Sequence, residues 1–137
     1  MQIVFLCGGL GTRMREINKE VPKGLMSVNN IIFFDYIINS ILPYKPSSFH
    51  FCLGYKSDMY LNYIRKLKTS VKVTFTIEKG DNLFGTGGAI KNAVKFLDEN
   101  FIAQYGDTVL DFDYKRFFEY HLQMNQSMTM TILHKDK

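Results

Sequence analysis

Apolar residues recur along the chain with two different spacings, one typical of strands and one of helices. Ile3 to Cys7 is continuously apolar, and Phe49 to Leu53 is broken only by His50, so both predict strands covered on two faces. The segment from Val71 to Ile77 alternates apolar and polar side chains, which indicates a strand with one wetter face. Phe101 to Tyr105 and the alternating segment 128–132 predict two further strands.

Three segments between these strands carry apolar residues at helical spacing. The first comprises Phe33, Phe34, Ile37, Ile38 and Ile41, and Pro43 is expected to end it. The others are Met59, Tyr60, Tyr63, Ile64 and Leu67, and then Ala89, Ile90, Ala93, Val94 and Leu97. A fourth helix is predicted over Tyr114 to Met124. This alternation predicts an α/β domain in which a mainly parallel sheet lies between helix layers.

Length and composition favour one folded domain over residues 1–137. The chain is 46% hydrophobic and contains twelve Phe and eight Tyr, a composition that argues against disorder. No apolar run approaches the ~18 residues that span a membrane, and the N-terminus does not resemble a signal peptide, so we expect a cytoplasmic protein without a membrane partner. Cys7 and Cys52 lie within apolar strands and are expected to be buried free thiols, while the three histidines form no metal or triad signature.

The net charge of +4 leaves two interpretations of the basic residues between Lys56 and Lys79. They form either a solvated helix face with its loop or a surface that binds nucleic acid. No nucleic-acid motif accompanies them, so we predict no nucleic-acid partner. A mildly basic protein also suits anionic small molecules.

A glycine-rich segment, "CGGLGTR", follows the first predicted strand. Glycines allow backbone N–H groups to converge on an anion, so Gly8, Gly9 and Gly11 predict a phosphate site. The spacing matches neither the dinucleotide fingerprint nor the P-loop. Arg13 and Lys23, the latter in "VPKGL", are candidate cations for the phosphate oxygens.

Two later motifs also fall at predicted element ends. In "FGTGGAI", glycines open a helix whose N-terminal amides favour an anion, which makes Gly85 and Gly88 candidate binding residues. In "QYGDTVLD", Asp107 follows a strand and could ligate a hard cation such as magnesium. In α/β sheets, ligands bind beyond the carboxyl ends of the strands, where these motifs are expected to meet.

In combination, these motifs resemble the sugar-phosphate nucleotidyltransferase family, and particularly its heptose-1-phosphate and mannose-1-phosphate guanylyltransferases. "CGGLGTR" matches the family's G-G-x-G-T-R signature, "PKGL" its Pro-Lys element, "GTGGA" its second glycine motif and "GD" its metal-binding aspartate. The resemblance covers nearly the whole chain. It implies a Rossmann-like three-layer fold, truncated relative to the family.

The resemblance also implies a reaction, in which a sugar 1-phosphate attacks a nucleoside triphosphate and pyrophosphate is released. Catalytic roles are implied for Arg13, Lys23 and Asp107, with Mg²⁺ held by Asp107. Nucleotide contacts are implied for Leu6, Gly8, Gly9, Gly11, Thr12, Arg13, Gly85 and Gly88. Glu78 is a candidate for reading the base, because a carboxylate can accept both donors of guanine's Watson–Crick edge, and this favours GTP.

Several departures from the family pattern affect these expectations. Gly24 stands where the family usually has another proline, Tyr105 where asparagine commonly precedes "GD", and a longer loop, "KGDNLF", precedes the second glycine motif. The chain is also short for the family, so a non-catalytic nucleotide-binding or regulatory role is the alternative function. An unpaired strand near Met128 to Leu133 is expected to drive homo-oligomer formation.

Overall fold

A computed structural model describes residues 1–9, 20–78 and 84–132. Within these ranges the main sheet has four strands, namely β1 (Gln2–Cys7), β4 (Ser48–Leu53), β5 (Lys72–Ile77) and β6 (Phe101–Tyr105). Their order is β5-β4-β1-β6, and every neighbouring pair is parallel. The predicted α/β fold with a parallel sheet is therefore confirmed.

The four predicted helices are present. They are α1 (Phe33–Ile41), α2 (Ser57–Lys66), α3 (Gly85–Ala93) and α4 (Tyr114–Met124). Pro43 lies in a short 3-10 turn directly after α1, as expected of a residue that cannot continue a helix. The Asp113 side chain accepts the Arg116 N–H at 2.9 Å and caps α4.

Helices cover both faces of the sheet. One face packs against α1, α2 and α4 in a large core that includes Phe5, Phe34 and Phe51. The other face packs against α3 in a smaller cluster with Val4 and Ala93. β1 supplies side chains to both clusters, which explains why its residues from Ile3 to Cys7 are continuously apolar, and the sheet is the middle of three layers.

A short hairpin that the sequence analysis did not predict joins β2 (Ser27–Val28) to β3 (Ile31–Ile32). Asn29 and Asn30 form its turn with φ of 50° and 63°. Two consecutive positive φ angles are the requirement of a type I′ turn, and asparagine tolerates them.

The predicted last strand is wrong, because residues 128–132 form no strand. Met128, Met130 and Ile132 are 74%, 69% and 83% exposed. Alternation of side chains is not sufficient for a strand, which also needs a neighbouring backbone to bond. The segment is instead fixed by a contact of 2.9 Å between His121 Nδ1 and Thr129 Oγ1. No helix in the described ranges is long and apolar enough to cross a membrane.

Candidate functional site

The candidate site lies where the four parallel strands end. One residue follows each strand directly at this edge, and these residues are Gly8, Gly54, Glu78 and Gly106. Backbone hydrogen bonds continue the sheet into two of them: the Gly106 N–H donates to the Leu6 carbonyl at 3.0 Å and the Glu78 N–H to the Leu53 carbonyl at 2.8 Å. Strand pairing therefore fixes the backbone at this edge. In parallel sheets, ligands bind beyond the carboxyl ends of the strands, so this edge suits a ligand site.

Lys23 and Asp107 form an ion pair at this edge, with 3.3 Å between Nζ and Oδ2. Both side chains are 44% exposed. The Thr108 hydroxyl donates to the other carboxylate oxygen of Asp107 at 3.3 Å. Because exposed ion pairs contribute little stability, both charged groups can turn toward a ligand at small cost.

Two glycines allow the segments carrying this pair to touch. Lys23 begins a 3-10 turn, Lys23–Leu25, after Pro22. A Cβ atom added at Gly24 would overlap the carbonyl oxygen of Gly106, and one added at Gly106 would lie 2.5 Å from Cys7 Sγ. The two backbones are thus in direct contact, and a side chain at either position would separate Lys23 from Asp107.

Glu78 connects the two glycine-rich segments. It is buried, and its Oε2 accepts the Phe84 N–H at 3.0 Å. Its Oε1 lies 3.4 Å from the position that a Cβ would take at Gly8. The residue predicted to read the base therefore lies at the carboxyl edge of the sheet, with one carboxylate oxygen already bonded to the segment before α3.

The start of α3 adjoins the end of β6. Thr86 Oγ1 and the Tyr105 hydroxyl are 3.4 Å apart. Gly85 begins the helix with φ of +67°, and a Cβ there would meet no described atom within 4 Å. Gly88 is partly buried, and a Cβ there would overlap the Cβ of Phe84. The second glycine motif is thus brought to the same edge as Asp107.

The other predicted nucleotide contacts fall into two groups. Leu6 is half-buried at the end of β1, and a Cβ at Gly9 would have no neighbour within 4 Å in the described part of the chain. Gly11, Thr12 and Arg13 lie outside the described residues. Their predicted roles stay predictions.

Two neutral buried groups lie beneath the ion pair. The Tyr60 hydroxyl, from α2, lies close to the Cys7 thiol. Burial raises the pKa of Cys7 and of Tyr60 well above their ordinary values, and the negative charge of Asp107 raises both further. Both groups are therefore uncharged at neutral pH. From the sequence, Tyr60 is predicted only to lie on the apolar face of a helix.

The donor set near Asp107 fits one kind of metal site. Within residues 1–9, 20–78 and 84–132, no three His, Cys, Asp or Glu side chains are grouped so as to hold a metal ion. Mg²⁺ is commonly bound by one or two carboxylates together with substrate phosphates and water. A single exposed carboxylate at an edge where phosphate binding is predicted therefore fits Mg²⁺ that arrives with a triphosphate.

Comparison with known proteins identifies the family. A family model described as "Nucleotidyl transferase" matches residues 2–137. The chain belongs to this family. It is 32% identical over 93% of its length to D-glycero-alpha-D-manno-heptose 1-phosphate guanylyltransferase of Campylobacter jejuni, and 31% identical over 96% to the protein of that name from Aneurinibacillus thermoaerophilus.

Solved structures of family members share the fold. HddC from Yersinia pseudotuberculosis, crystallised in complex with GMP-PN, has a TM-score of 0.78 and 34% sequence identity over 88% of this chain. The match covers 54% of the HddC chain, and the two guanylyltransferases are covered over 54% and 57% of their lengths. This chain thus spans about half the length of the relatives it matches.

Proposed function

We propose that residues 1–137 form the nucleotide-binding part of a sugar-1-phosphate nucleotidyltransferase, with GTP as the favoured nucleotide. The observation that carries the proposal is the Lys23–Asp107 pair, which lies at the carboxyl edge of the sheet together with Gly8 and Glu78. A cation, a carboxylate and a glycine segment at one strand edge suit a substrate made of phosphates. Relatives named as heptose 1-phosphate guanylyltransferases support the choice of reaction.

In this reaction an oxygen of the sugar 1-phosphate attacks the α-phosphorus of the triphosphate. A new P–O bond forms, the bond between the α-phosphorus and the bridging oxygen breaks, and pyrophosphate leaves. Phosphate is already a nucleophile, so the protein mainly positions the reactants and neutralises charge. Lys23 would approach both phosphates as they meet, and Arg13 would stabilise the leaving pyrophosphate.

Asp107 would hold Mg²⁺ together with phosphate oxygens and water. The metal ion would act as a Lewis acid at the α-phosphate. The Lys23 ammonium, now 3.3 Å from Asp107 Oδ2, would exchange this carboxylate contact for phosphate oxygens. In such an exchange the Lys23 ammonium would gain phosphate oxygens and the Asp107 carboxylate would gain Mg²⁺, so both charges would stay paired.

The preference for GTP rests on Glu78. Guanine presents two donors on its Watson–Crick edge, whereas uracil presents one, and a carboxylate can accept both. Glu78 Oε2 already accepts the Phe84 N–H, which leaves Oε1 and the second lone pair of Oε2 for the two donors of guanine. The name guanylyltransferase carried by the relatives supports this choice of base.

The test compares Lys23→Ala with Lys115→Ala, since Lys115 also forms an exposed ion pair, with Glu119, but on α4. Binding of GTP, CTP, ATP and UTP with Mg²⁺ is measured by calorimetry, and pyrophosphate release is measured with mannose 1-phosphate or heptose 1-phosphate. We expect GTP to bind most tightly, and only Lys23→Ala to weaken its binding, by roughly tenfold or more.

Two results would contradict the proposal. One is the absence of binding for all four triphosphates. The other is an equal effect of the two lysine substitutions. Binding of GTP without pyrophosphate release would favour the alternative role as a non-catalytic nucleotide-binding protein.

A further inference from the structure

We infer that Tyr60 is a positioning residue, whose hydroxyl sets the distance between Lys23 and Asp107. The inference rests on the proposed function, because it concerns how the ion pair is presented to a triphosphate. Tyr60 lies on α2, is buried in the core and belongs to none of the motifs predicted to bind phosphate.

The Tyr60 hydroxyl touches the segment that carries Lys23. It lies 2.9 Å from the position that a Cβ would take at Gly24, which is the residue that follows Lys23. A side chain at this position would press against the hydroxyl. The Tyr60 hydroxyl and the carbonyl oxygen of Gly106 therefore both lie against the same face of Gly24.

The same hydroxyl is connected to the segment that carries Asp107. It lies close to the Cys7 thiol. Cys7 Sγ in turn lies 2.5 Å from the position of a Cβ at Gly106, the residue before Asp107. Tyr60 and Cys7 together thus form a buried, uncharged support under both halves of the ion pair.

The ring and the hydroxyl of Tyr60 have separable roles. The ring packs edge-on against Phe34, with 6.2 Å between ring centroids, and phenylalanine would preserve this contact. Without the hydroxyl, Gly24 loses this contact, and the turn that carries Lys23 can move toward the core. Small misplacements of groups that must meet several phosphate oxygens are costly, so binding of the triphosphate should suffer more than folding.

The experiment compares Tyr60→Phe with Tyr63→Phe. Tyr63 is the matched control, because it lies on the same helix, is also buried, and donates its hydroxyl to Asp35 Oδ1 at 2.7 Å, in a contact that does not involve the ion pair. Calorimetry measures the affinity for GTP with Mg²⁺ and for GMP without it, and the thermal midpoint reports folding. We expect Tyr60→Phe to weaken Mg²⁺–GTP binding roughly fivefold to tenfold, with GMP binding unchanged within about twofold.

Each outcome is decisive. Tyr63→Phe is expected to leave both affinities unchanged. Equal losses for GTP and GMP in Tyr60→Phe, or equal effects of the two tyrosine substitutions, would overturn the positioning role. If the unchanged chain binds no GTP with Mg²⁺, the proposed function itself fails, and the inference fails with it.

Discussion

Glu78 is a buried carboxylate at the carboxyl edge of the sheet, and it has two neighbours there. Its Oε2 accepts the Phe84 N–H, and its Oε1 lies near Gly8. Burial of a carboxylate is costly unless it is hydrogen-bonded, so this contact explains why the side chain is stable in place. A ligand that offers two N–H donors would form hydrogen bonds of the same type with the Glu78 carboxylate.

Substitution of Glu78 by glutamine tests the predicted reading of guanine. Glutamine keeps one acceptor for the Phe84 N–H but loses the charge, so the preference for GTP over UTP is expected to fall by about tenfold, which corresponds to one charge-assisted hydrogen bond. Calorimetry with both nucleotides measures this ratio, and Glu99→Gln, an exposed carboxylate, serves as the control. Equal affinities for GTP and UTP that Glu78→Gln does not change would refute the assignment.

The sequence predicted some of the site and not the rest. Lys23, Glu78 and Asp107 were predicted because each belongs to a short motif or lies at a predicted strand end, and the structure places them at one edge of the sheet. The contact of Gly24 with Gly106 and the support from Tyr60 were not predicted. These depend on how α2 packs under two distant segments, and an apolar stripe gives the same signal for any buried tyrosine.

The secondary structure elements were largely predictable because their apolar periods are regular. α4 runs from Tyr114 to Met124, as its pattern predicted. The hairpin was missed because each of its strands has only two residues, although the pair Asn29-Asn30 between apolar residues was a usable turn signal. The predicted strand at 128–132 failed because periodicity does not report whether a partner strand is present.

The pairing of β4 with β5 includes a buried titratable group, His50. Its Nδ1 is 2.8 Å from Thr74 Oγ1 and its Nε2 is 3.2 Å from Thr76 Oγ1. Burial lowers the pKa of His50 below its ordinary value. As the pH falls below the unfolded-state pKa of about 6.5, the unfolded chain therefore binds a proton that the folded chain resists.

Stability should accordingly decrease below pH ~6.5, and part of this decrease should depend on His50. Urea unfolding at pH 7.5 and pH 5.5 measures the loss in the unchanged chain and in His50→Gln. We expect a smaller loss between the two pH values in the variant. Identical losses would show that His50 is protonated equally easily in both states.

At the scale of the whole molecule, the sheet has two outer strands, β5 and β6, and in the described part of the chain each of them pairs with one neighbour. In the described part of the chain, β6 pairs only with β1. Tyr105 is exposed on β6, and Met128, Met130 and Ile132 add exposed apolar surface beyond α4. An unpaired strand edge and exposed apolar side chains both favour association with another chain.

Self-association through a strand near Met128 is not supported, because residues 128–132 form no strand; we propose instead that β6 is the paired strand and that segment 128–132 adds apolar surface. Light scattering at several concentrations measures it. Met130→Lys together with Ile132→Lys should shift the distribution toward the monomer, because charges at the interface oppose its burial. A chain that is monomeric at all concentrations, with or without these substitutions, would contradict the prediction.

The central claim is that Asp107 and its ion-pair partner bind a metal-bound triphosphate at the sheet edge. The most direct measurement is a calorimetric titration of GTP in the presence and absence of Mg²⁺, with Asp107→Asn and, as a control, Glu119→Gln in the exposed pair on α4. We predict that Mg²⁺ strengthens GTP binding in the unchanged chain and in Glu119→Gln, and that Asp107→Asn abolishes this gain. Binding of GTP that is indifferent to Mg²⁺, or a gain from Mg²⁺ that survives Asp107→Asn, would contradict it.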